Sequence, residues 1–148
     1  MDRIAVQEAD FDAGREIAAL GSNDKETGAI ASFVGQVRGG KVAAMTLEHY
    51  PGMTEKALRE IVVLARERWQ LQRTCVIHRI GRLQPGDNIV FVGVSSAHRG
   101  EAFAACEFIM DYLKTRAPFW KKEETAEGAR WVDARETDET AATRWLQT

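Results

Sequence analysis

Cysteines, histidines and long apolar runs are scarce in this chain of 148 residues. Its two cysteines, Cys75 and Cys106, are too few for a disulfide framework and do not form a CxxC pair. No apolar run approaches the roughly 20 residues that cross a bilayer, which excludes a helical membrane protein. No basic segment followed by an apolar stretch is visible near Met1, so no secretory signal is expected. These features predict a protein of the reducing cytoplasm that does not act in a membrane.

The three histidines do not suggest a metal site. His49, His78 and His98 are isolated, and none lies at ligand spacing from a cysteine or another histidine. Cys106 falls on the apolar stripe of a predicted helix, which favours core packing over a nucleophilic role. We therefore expect neither a metal nor a cofactor.

What the chain does contain is ordinary globular composition, with 45% hydrophobic and 28% charged residues. There are no repeats, linkers or low-complexity segments, so residues 1–148 are predicted to form one domain. The net charge of −2 is unevenly distributed, because residues 28–122 carry +6 and each end segment carries −4. The basic middle is either a solvated face or a pocket for a compact anion. A nucleic-acid surface is disfavoured, because the bases form no long stripe.

The pattern of apolar residues predicts a mixture of helices and strands. Two inward-facing helical stripes are expected, one at Leu58, Ile61, Val62, Ala65 and Trp69 and the other at Ala102, Cys106, Ile109 and Leu113. Helices are expected from a cap at Asp10 or Asp12 to Leu20, and over 51–69, 101–114 and 138–146; strands are expected at 4–7, 28–37, 44–49, 74–80, 89–95 and 131–132. The turn Gly39-Gly40 predicts a hairpin between the strands 28–37 and 44–49. The connection between 74–80 and 89–95 is too short for a parallel crossover, so these strands should be antiparallel. This order is typical of an α+β fold.

Residues 35–42 nearly match the phosphate-binding P-loop pattern. Its last position is Val42 instead of Ser or Thr, and the segment that follows is strand-like instead of helical. A nucleotide P-loop is therefore not predicted, although the loop could still present Arg38 and backbone amides to an anion.

Two further groups of cations lie near predicted helix ends. His98 and Arg99 lie where a helix begins, and unpaired N–H groups there favour an anion. Lys114 lies about 22 Å further along the same helix, so the two ends cannot share a small ligand. Pro118 should end the helix and let the chain turn back, so that Lys121 approaches Lys114 beside Phe119 and Trp120. The alternatives are a surface ion pair for Arg99 and lysines favoured by the helix dipole.

Several segments together resemble the large, catalytic subunit of molybdopterin synthase. The similarity covers nearly the whole chain, in order, and its most specific part is the block 111–123 followed by Gly128 and Trp131. The other matching segments are FVGQVR (33–38), LEHYPGM (47–53), HRIG (78–81) and SAHR (96–99).

The resemblance implies a sulfurtransferase that converts cyclic pyranopterin monophosphate into the dithiolene molybdopterin. In this family the sulfur arrives as a thiocarboxylate on the C-terminus of a small ubiquitin-like subunit, whose tail enters a pocket of the large subunit. The implied assembly is a homodimer of large subunits within a heterotetramer. The implied fold is an α/β-hammerhead type with an added antiparallel β subdomain.

Position by position, the resemblance also implies site residues. Lys114 and Lys121 match the catalytic lysines, and the anion-binding residues match Arg38, His98 and Arg99. Substrate contacts are implied at or beside Gln36, Val37, Lys122 and Glu123, and Arg135 is implied to contribute to the site of the opposite protomer.

Two other functions remain open at this point. One is a non-catalytic phosphate- or nucleotide-binding module, which would bind an anion without transferring sulfur. The other is a basic RNA-binding domain, which should present aromatic side chains on an open sheet face. The aromatic residues are predicted near helix ends, which disfavours RNA binding.

Overall fold

Two four-stranded sheets form the framework of the chain in the computed structural model, which describes residues 2–132 and 136–147. The strands are β1 (Asp2–Gln7), β2 (Ala29–Gln36), β3 (Val42–His49), β4 (Thr74–Arg79), β5 (Gly81–Leu83), β6 (Asn88–Ser96), β7 (Phe119–Thr125) and β8 (Gly128–Val132). The helices are α1 (Ala13–Gly21), α2 (Met53–Arg68), α3 (Arg99–Arg116) and α4 (Glu136–Thr143), followed by a 3-10 turn over Arg144–Gln147. The predicted α+β class is confirmed.

The first sheet has the strand order β1-β4-β6-β2 and is mixed. β1 and β4 are parallel, whereas β4 and β6 are antiparallel as predicted. Val76 and Val92 face α2 and α3, while Ile77 and Phe91 belong to a second cluster beside α1. Because helices cover both faces, β6 reads as an almost continuous apolar run.

The helices follow the predicted patterns. The Asp12 carboxylate caps α1 by accepting the Arg15 N–H at 3.1 Å. In α2 the predicted stripe is buried at Leu58, Ile61, Val62 and Ala65. In α3 the predicted inward positions Ala102, Cys106, Ile109 and Leu113 are all buried. These stripes hold α2 and α3 against the first sheet and against each other.

The predicted hairpin between 28–37 and 44–49 is wrong. β2 pairs with β6, whereas β3 pairs with β5 and β7 in a second, antiparallel sheet of order β5-β3-β7-β8. The buried residue Val37 accounts for the difference. Its N–H donates to the Asp87 carbonyl at 2.9 Å, and its carbonyl accepts the Gly86 N–H at 2.8 Å. These bonds tie the end of β2 to the turn before β6, so the chain passes into the second sheet.

Two strands of the second sheet were not predicted. β5 is only three residues long, and β7 carries four consecutive charged residues, 121–124. β7 has no apolar alternation, yet it pairs with β3 on one side and β8 on the other. Its backbone bonding therefore outweighs the weak strand propensity of lysine and glutamate.

Both cysteines are free and buried. Burial raises the pKa of each thiol to about 12, so both remain protonated at neutral pH. Among the described residues, no helix is both long and apolar enough to span a bilayer.

Candidate active site

A cavity of about 720 Å³ lies where the two sheets meet the C-terminal end of α3. Loop 37–41 and strands β3 and β7 form much of its wall. The lining residues are Gln36, Arg38, Gly39, Lys41, Val42, Met45, Leu47, His78, Ile89, Leu113, Lys114, Ala117, Phe119, Lys121, Glu123 and Val132. Its size is that of a small-molecule site.

The corner between α3 and β7 brings Lys114 and Lys121 to this cavity. Ala117 adopts an extended conformation before Pro118, so the helix ends and the chain turns back as predicted. Thr54, which is fully buried, anchors the corner by donating its hydroxyl to the Pro118 carbonyl at 2.9 Å. Alternation along β7 then places Phe119, Lys121 and Glu123 on the cavity side.

The cavity carries an excess of positive charge. Arg38, Lys41, Lys114 and Lys121 line it, and Glu123 is the one carboxylate among the described lining residues. The Lys121 Nζ atom lies 3.7 Å from a carboxylate oxygen of Glu123. Four cations against one acid produce a positive potential that attracts anions such as phosphate and carboxylate.

The remaining wall is apolar. It consists chiefly of Met45, Leu47, Ile89, Leu113 and Phe119. Met45 and Leu47 are buried members of a small cluster against which Ile89 packs. A cavity with cations on one part of its wall and apolar side chains on another suits a ligand that has an anionic end and a flat, poorly hydrated end.

Sequence reasoning missed His78 as a site residue. It lines the cavity from β4, although only 5% of its surface is exposed. Burial, with smaller contributions from the charges of Lys114 and His49, lowers the pKa of His78 to about 4. Its ring is therefore neutral at pH 7. The sequence feature that could have indicated His78 is a single histidine among the apolar residues of the buried strand TCVIHR.

The structure brings together only part of the predicted set. Gln36, Arg38, Lys114, Lys121 and Glu123 line the cavity. Two members of the set point elsewhere. Val37 is buried beneath the loop, and Lys122 lies on the opposite face of β7, with its ammonium 5.6 Å from the centre of the Trp131 ring.

His98 and Arg99 do not line this cavity within one chain. Both are exposed at the N-terminal end of α3, and Lys114 lies near the other end, about 22 Å away along the axis. Arg135 falls outside the described residues. Within a single chain, His98 and Arg99 are therefore separated from Lys114, as predicted.

The prediction that the aromatic residues lie near helix ends is wrong for two tryptophans. Trp120 and Trp131 lie on the outer face of the second sheet, where 48% and 55% of their surfaces are exposed. Glu48 pairs directly with Trp120 and shares that face, and Glu124 is on it as well. Together with Lys122 on the same face, these carboxylates leave no excess of cations for a phosphate backbone, so the exposed tryptophans do not indicate RNA binding.

Other site types lack support in the structure. Among the described residues, no group of three or more His, Cys, Asp or Glu side chains could hold a metal ion. The near match to a P-loop is followed by strand β3, not by the helix whose N-terminus would bind a nucleotide phosphate.

Comparison with known proteins gives one consistent family. The model of the MoaE protein family matches residues 6–116. A molybdopterin synthase catalytic subunit of Ralstonia nicotianae is 65% identical, over 98% of this chain and 85% of the relative. The solved MoaE protein of Burkholderia ambifaria is 57% identical, with a TM-score of 0.86 over 99% of both chains.

A more distant solved structure has the same fold. It comes from a Helicobacter pylori complex of subunits 1 and 2 of molybdopterin-converting factor, with 19% identity and a TM-score of 0.68 over 91% of this chain and 90% of that one. The family model and the full-length relatives agree with the resemblance in the motifs. The chain therefore belongs to the MoaE family, whose curated relatives are molybdopterin synthase catalytic subunits.

Proposed function

We propose that the cavity beside Lys114 and Lys121 is where this chain, as a molybdopterin synthase catalytic subunit, transfers sulfur to cyclic pyranopterin monophosphate. The observation that carries the proposal is that both lysines, contributed by α3 and β7, line one cavity together with Arg38 and Lys41. The sulfur donor is proposed to be the thiocarboxylate at the C-terminus of a small ubiquitin-like subunit.

The electrostatics of the cavity match this pair of reactants. The substrate carries a cyclic phosphate and the donor ends in an anionic thiocarboxylate, so the two repel each other in the absence of compensating charge. The four lining cations reduce that repulsion and hold both anions in place before the reaction begins. The apolar wall would receive the flat pterin.

The roles of the two lysines follow from their positions. Lys114 serves as the general acid and base while the thiocarboxylate sulfur attacks a side-chain carbon of the pterin and the phosphate ring opens. Water then cleaves the resulting thioester, which leaves the sulfur on the pterin and an ordinary carboxylate on the partner; a second thiocarboxylate supplies the second sulfur. Lys121, held 3.7 Å from the Glu123 carboxylate, orients the substrate or the thiocarboxylate carbonyl. Arg38 binds the phosphate, and Gln36 and Glu123 complete the polar lining.

A complete site would need residues from a second copy of the chain. His98 and Arg99 are exposed at the positive end of the α3 dipole, too far from Lys114 to share its ligand. We place them, with Arg135, at the cavity of the opposite protomer in a homodimer, where they add positive charge. This arrangement would resolve the separation of about 22 Å along α3.

The proposed assembly adds one small subunit to each protomer, giving a heterotetramer. The term catalytic subunit in the relatives' names supports a partner subunit, and the Helicobacter pylori structure is itself a complex of two subunits. The tail of the partner would enter the same cavity as the substrate. We propose the cytoplasm as the site of action, since two buried free thiols suit a reducing compartment.

Reconstitution tests the proposed function. The purified chain is incubated with cyclic pyranopterin monophosphate and thiocarboxylated small subunit, and the product is assayed for the dithiolene. We expect both sulfurs to be transferred without an added metal, and no product when the partner carries an ordinary C-terminal carboxylate. Substrate binding without dithiolene formation would instead support the non-catalytic anion-binding module.

A further inference from the structure

His78 is the polar group of the cavity to which the proposed mechanism gives no role. It lies on β4 among buried neighbours, and only 5% of its surface is exposed. Phe119, on the strand that carries Lys121, stacks on its ring with a centroid distance of 3.8 Å and an interplanar angle of 19°. A histidine held this closely against the reaction cavity has a fixed orientation.

The hydrogen bond of the ring fixes its tautomer. The Nδ1 atom lies 2.8 Å from the backbone carbonyl oxygen of Arg79. A carbonyl oxygen can only accept a hydrogen bond, so Nδ1 carries the proton. In the neutral ring the other nitrogen, Nε2, then presents a lone pair and acts as an acceptor.

The Nε2 atom makes no hydrogen bond to the described residues, and His78 lines the cavity. In the part of the chain that the structure describes, no fully buried side-chain nitrogen or oxygen lacks a hydrogen-bond partner. Among the described residues, the hydrogen bond of His78 is made through Nδ1, and the residue lines the cavity. The ring thus offers one oriented acceptor to whatever occupies the cavity.

The surroundings keep this acceptor neutral. Lys114 approaches from α3 and His49 from β3, and both disfavour a positive charge on His78 in addition to the effect of burial. Glu55 lies 3.8 Å from His49. Protonated His78 would place another cation beside Lys114, so the neutral form persists through the physiological pH range.

We infer that His78 binds the substrate, and that its Nε2 atom accepts a hydrogen bond from a ring N–H of the pterin. This inference rests on the proposed function and extends it from the anionic end of the substrate to its heterocycle. Lys41, Lys114 and Lys121 can only donate, so they suit the phosphate but not an N–H edge. The side-chain acceptors of the wall are Gln36, Glu123 and His78, and of these His78 is the one stacked on Phe119. His78 offers a neutral acceptor next to the apolar side chain of Phe119, where a flat heterocycle would lie.

This role makes His78 a residue that determines specificity. A ligand that lacks the N–H would leave the oriented acceptor without a partner in a poorly hydrated wall, which disfavours its binding. A phosphate alone would bind through the cations and gain nothing from His78. Discrimination between a pterin phosphate and a simple phosphate ester should therefore depend on this histidine.

Two substitutions separate the acceptor from the shape of the ring. His78→Asn keeps an N–H near the position of Nδ1, which can still donate to the Arg79 carbonyl, but removes the acceptor at Nε2. His78→Gln places an amide oxygen near the position of Nε2 and so restores an acceptor. Each variant is purified with its small subunit, and its fold is checked by thermal unfolding and by its affinity for that subunit.

The affinity for cyclic pyranopterin monophosphate is then measured by calorimetry. We expect His78→Asn to bind it about 10-fold to 100-fold more weakly, as for a lost hydrogen bond with unsatisfied partners, and His78→Gln to recover most of that loss. The small subunit should bind both variants as it binds the unmodified chain. Equal substrate affinity in folded His78→Asn, or an equal loss in both variants, would overturn the inference.

Nitrogen NMR of the ring provides a readout that does not depend on turnover. We expect a neutral Nδ1–H tautomer from pH 5 to 8, and an Nε2 resonance that moves on saturation with the pterin substrate. A proton on Nε2, or an Nε2 resonance that moves only when the small subunit is added, would contradict the inference. If the unmodified chain binds the pterin but forms no dithiolene, the proposed function fails while the role of His78 stands.

Discussion

A Lys114→Ala variant is expected to lose about 100-fold to 10,000-fold in turnover while keeping its fold and its affinity for the small subunit. Lys114 lies near the end of α3, is exposed, and lines the same cavity as Lys121. Removing its ammonium takes away the proposed acid and base but leaves the apolar stripe of α3 unchanged. Turnover is measured as dithiolene formed from the thiocarboxylated partner.

Two controls make the result specific. Lys114→Arg keeps the positive charge but cannot give up a proton, so it should bind substrate normally and still turn over slowly. Lys25→Ala removes an exposed lysine that does not line the cavity, and its turnover should match that of the unmodified chain. Near-normal turnover by a folded Lys114→Ala variant would remove this residue from the catalytic step.

Mixing two weakly active variants, Arg99→Ala and Lys114→Ala, is expected to restore activity. If Arg99 serves the cavity of the opposite protomer, Arg99→Ala impairs the cavity of the partner chain. Lys114→Ala instead impairs the cavity of the chain that carries it. In a mixed dimer with one variant in each chain, one cavity contains both substitutions and the other contains neither. Random association should therefore return about a quarter of the normal number of intact sites.

The design of the mixture supplies its own control. Each variant alone, at the same total concentration, should stay weakly active, and Arg99→Ala alone should bind the substrate more weakly. A mixture of Lys114→Ala with Lys121→Ala should not recover, because both lysines line the cavity of one chain. If the Lys114→Ala and Arg99→Ala mixture also fails to recover although the chains exchange, then Arg99 does not act across the dimer.

Elements built on apolar periodicity could be predicted from the sequence. The stripe of α2 and the buried positions of α3 were correct because a 3.6-residue repeat directly reflects which side of a helix is covered. The antiparallel pairing of β4 with β6 followed from the length of their connection. These features depend only on residues that are close together in the sequence.

Strand partners could not be predicted in the same way. Gly39-Gly40 has the composition of a hairpin turn, but Val37 bonds to the distant residues Gly86 and Asp87. That preference depends on contacts about 50 residues away in the chain, which no local pattern reveals. β7 was missed for a related reason: its inward side chains Lys121 and Glu123 face a cavity and not a core, so the usual alternation is absent.

The candidate site could be predicted where charged residues occur within recognisable motifs. Lys114, Lys121 and Arg38 stood out as cations within family motifs, and they do line one cavity. His78 was missed because a single histidine in a strand gives no spacing to interpret. Its relevance depends on the stack with Phe119 and on the position of Lys114, both of which arise only from the tertiary fold.

A crystal structure of the chain in complex with its small subunit most directly tests whether this cavity brings the two anions together. We predict that the partner's C-terminal tail enters it and that the terminal carboxylate lies about 3 Å from the Nζ atom of Lys114 or Lys121. A tail bound on another surface, with both ammonium groups facing bulk solvent in the complete assembly, would contradict the account.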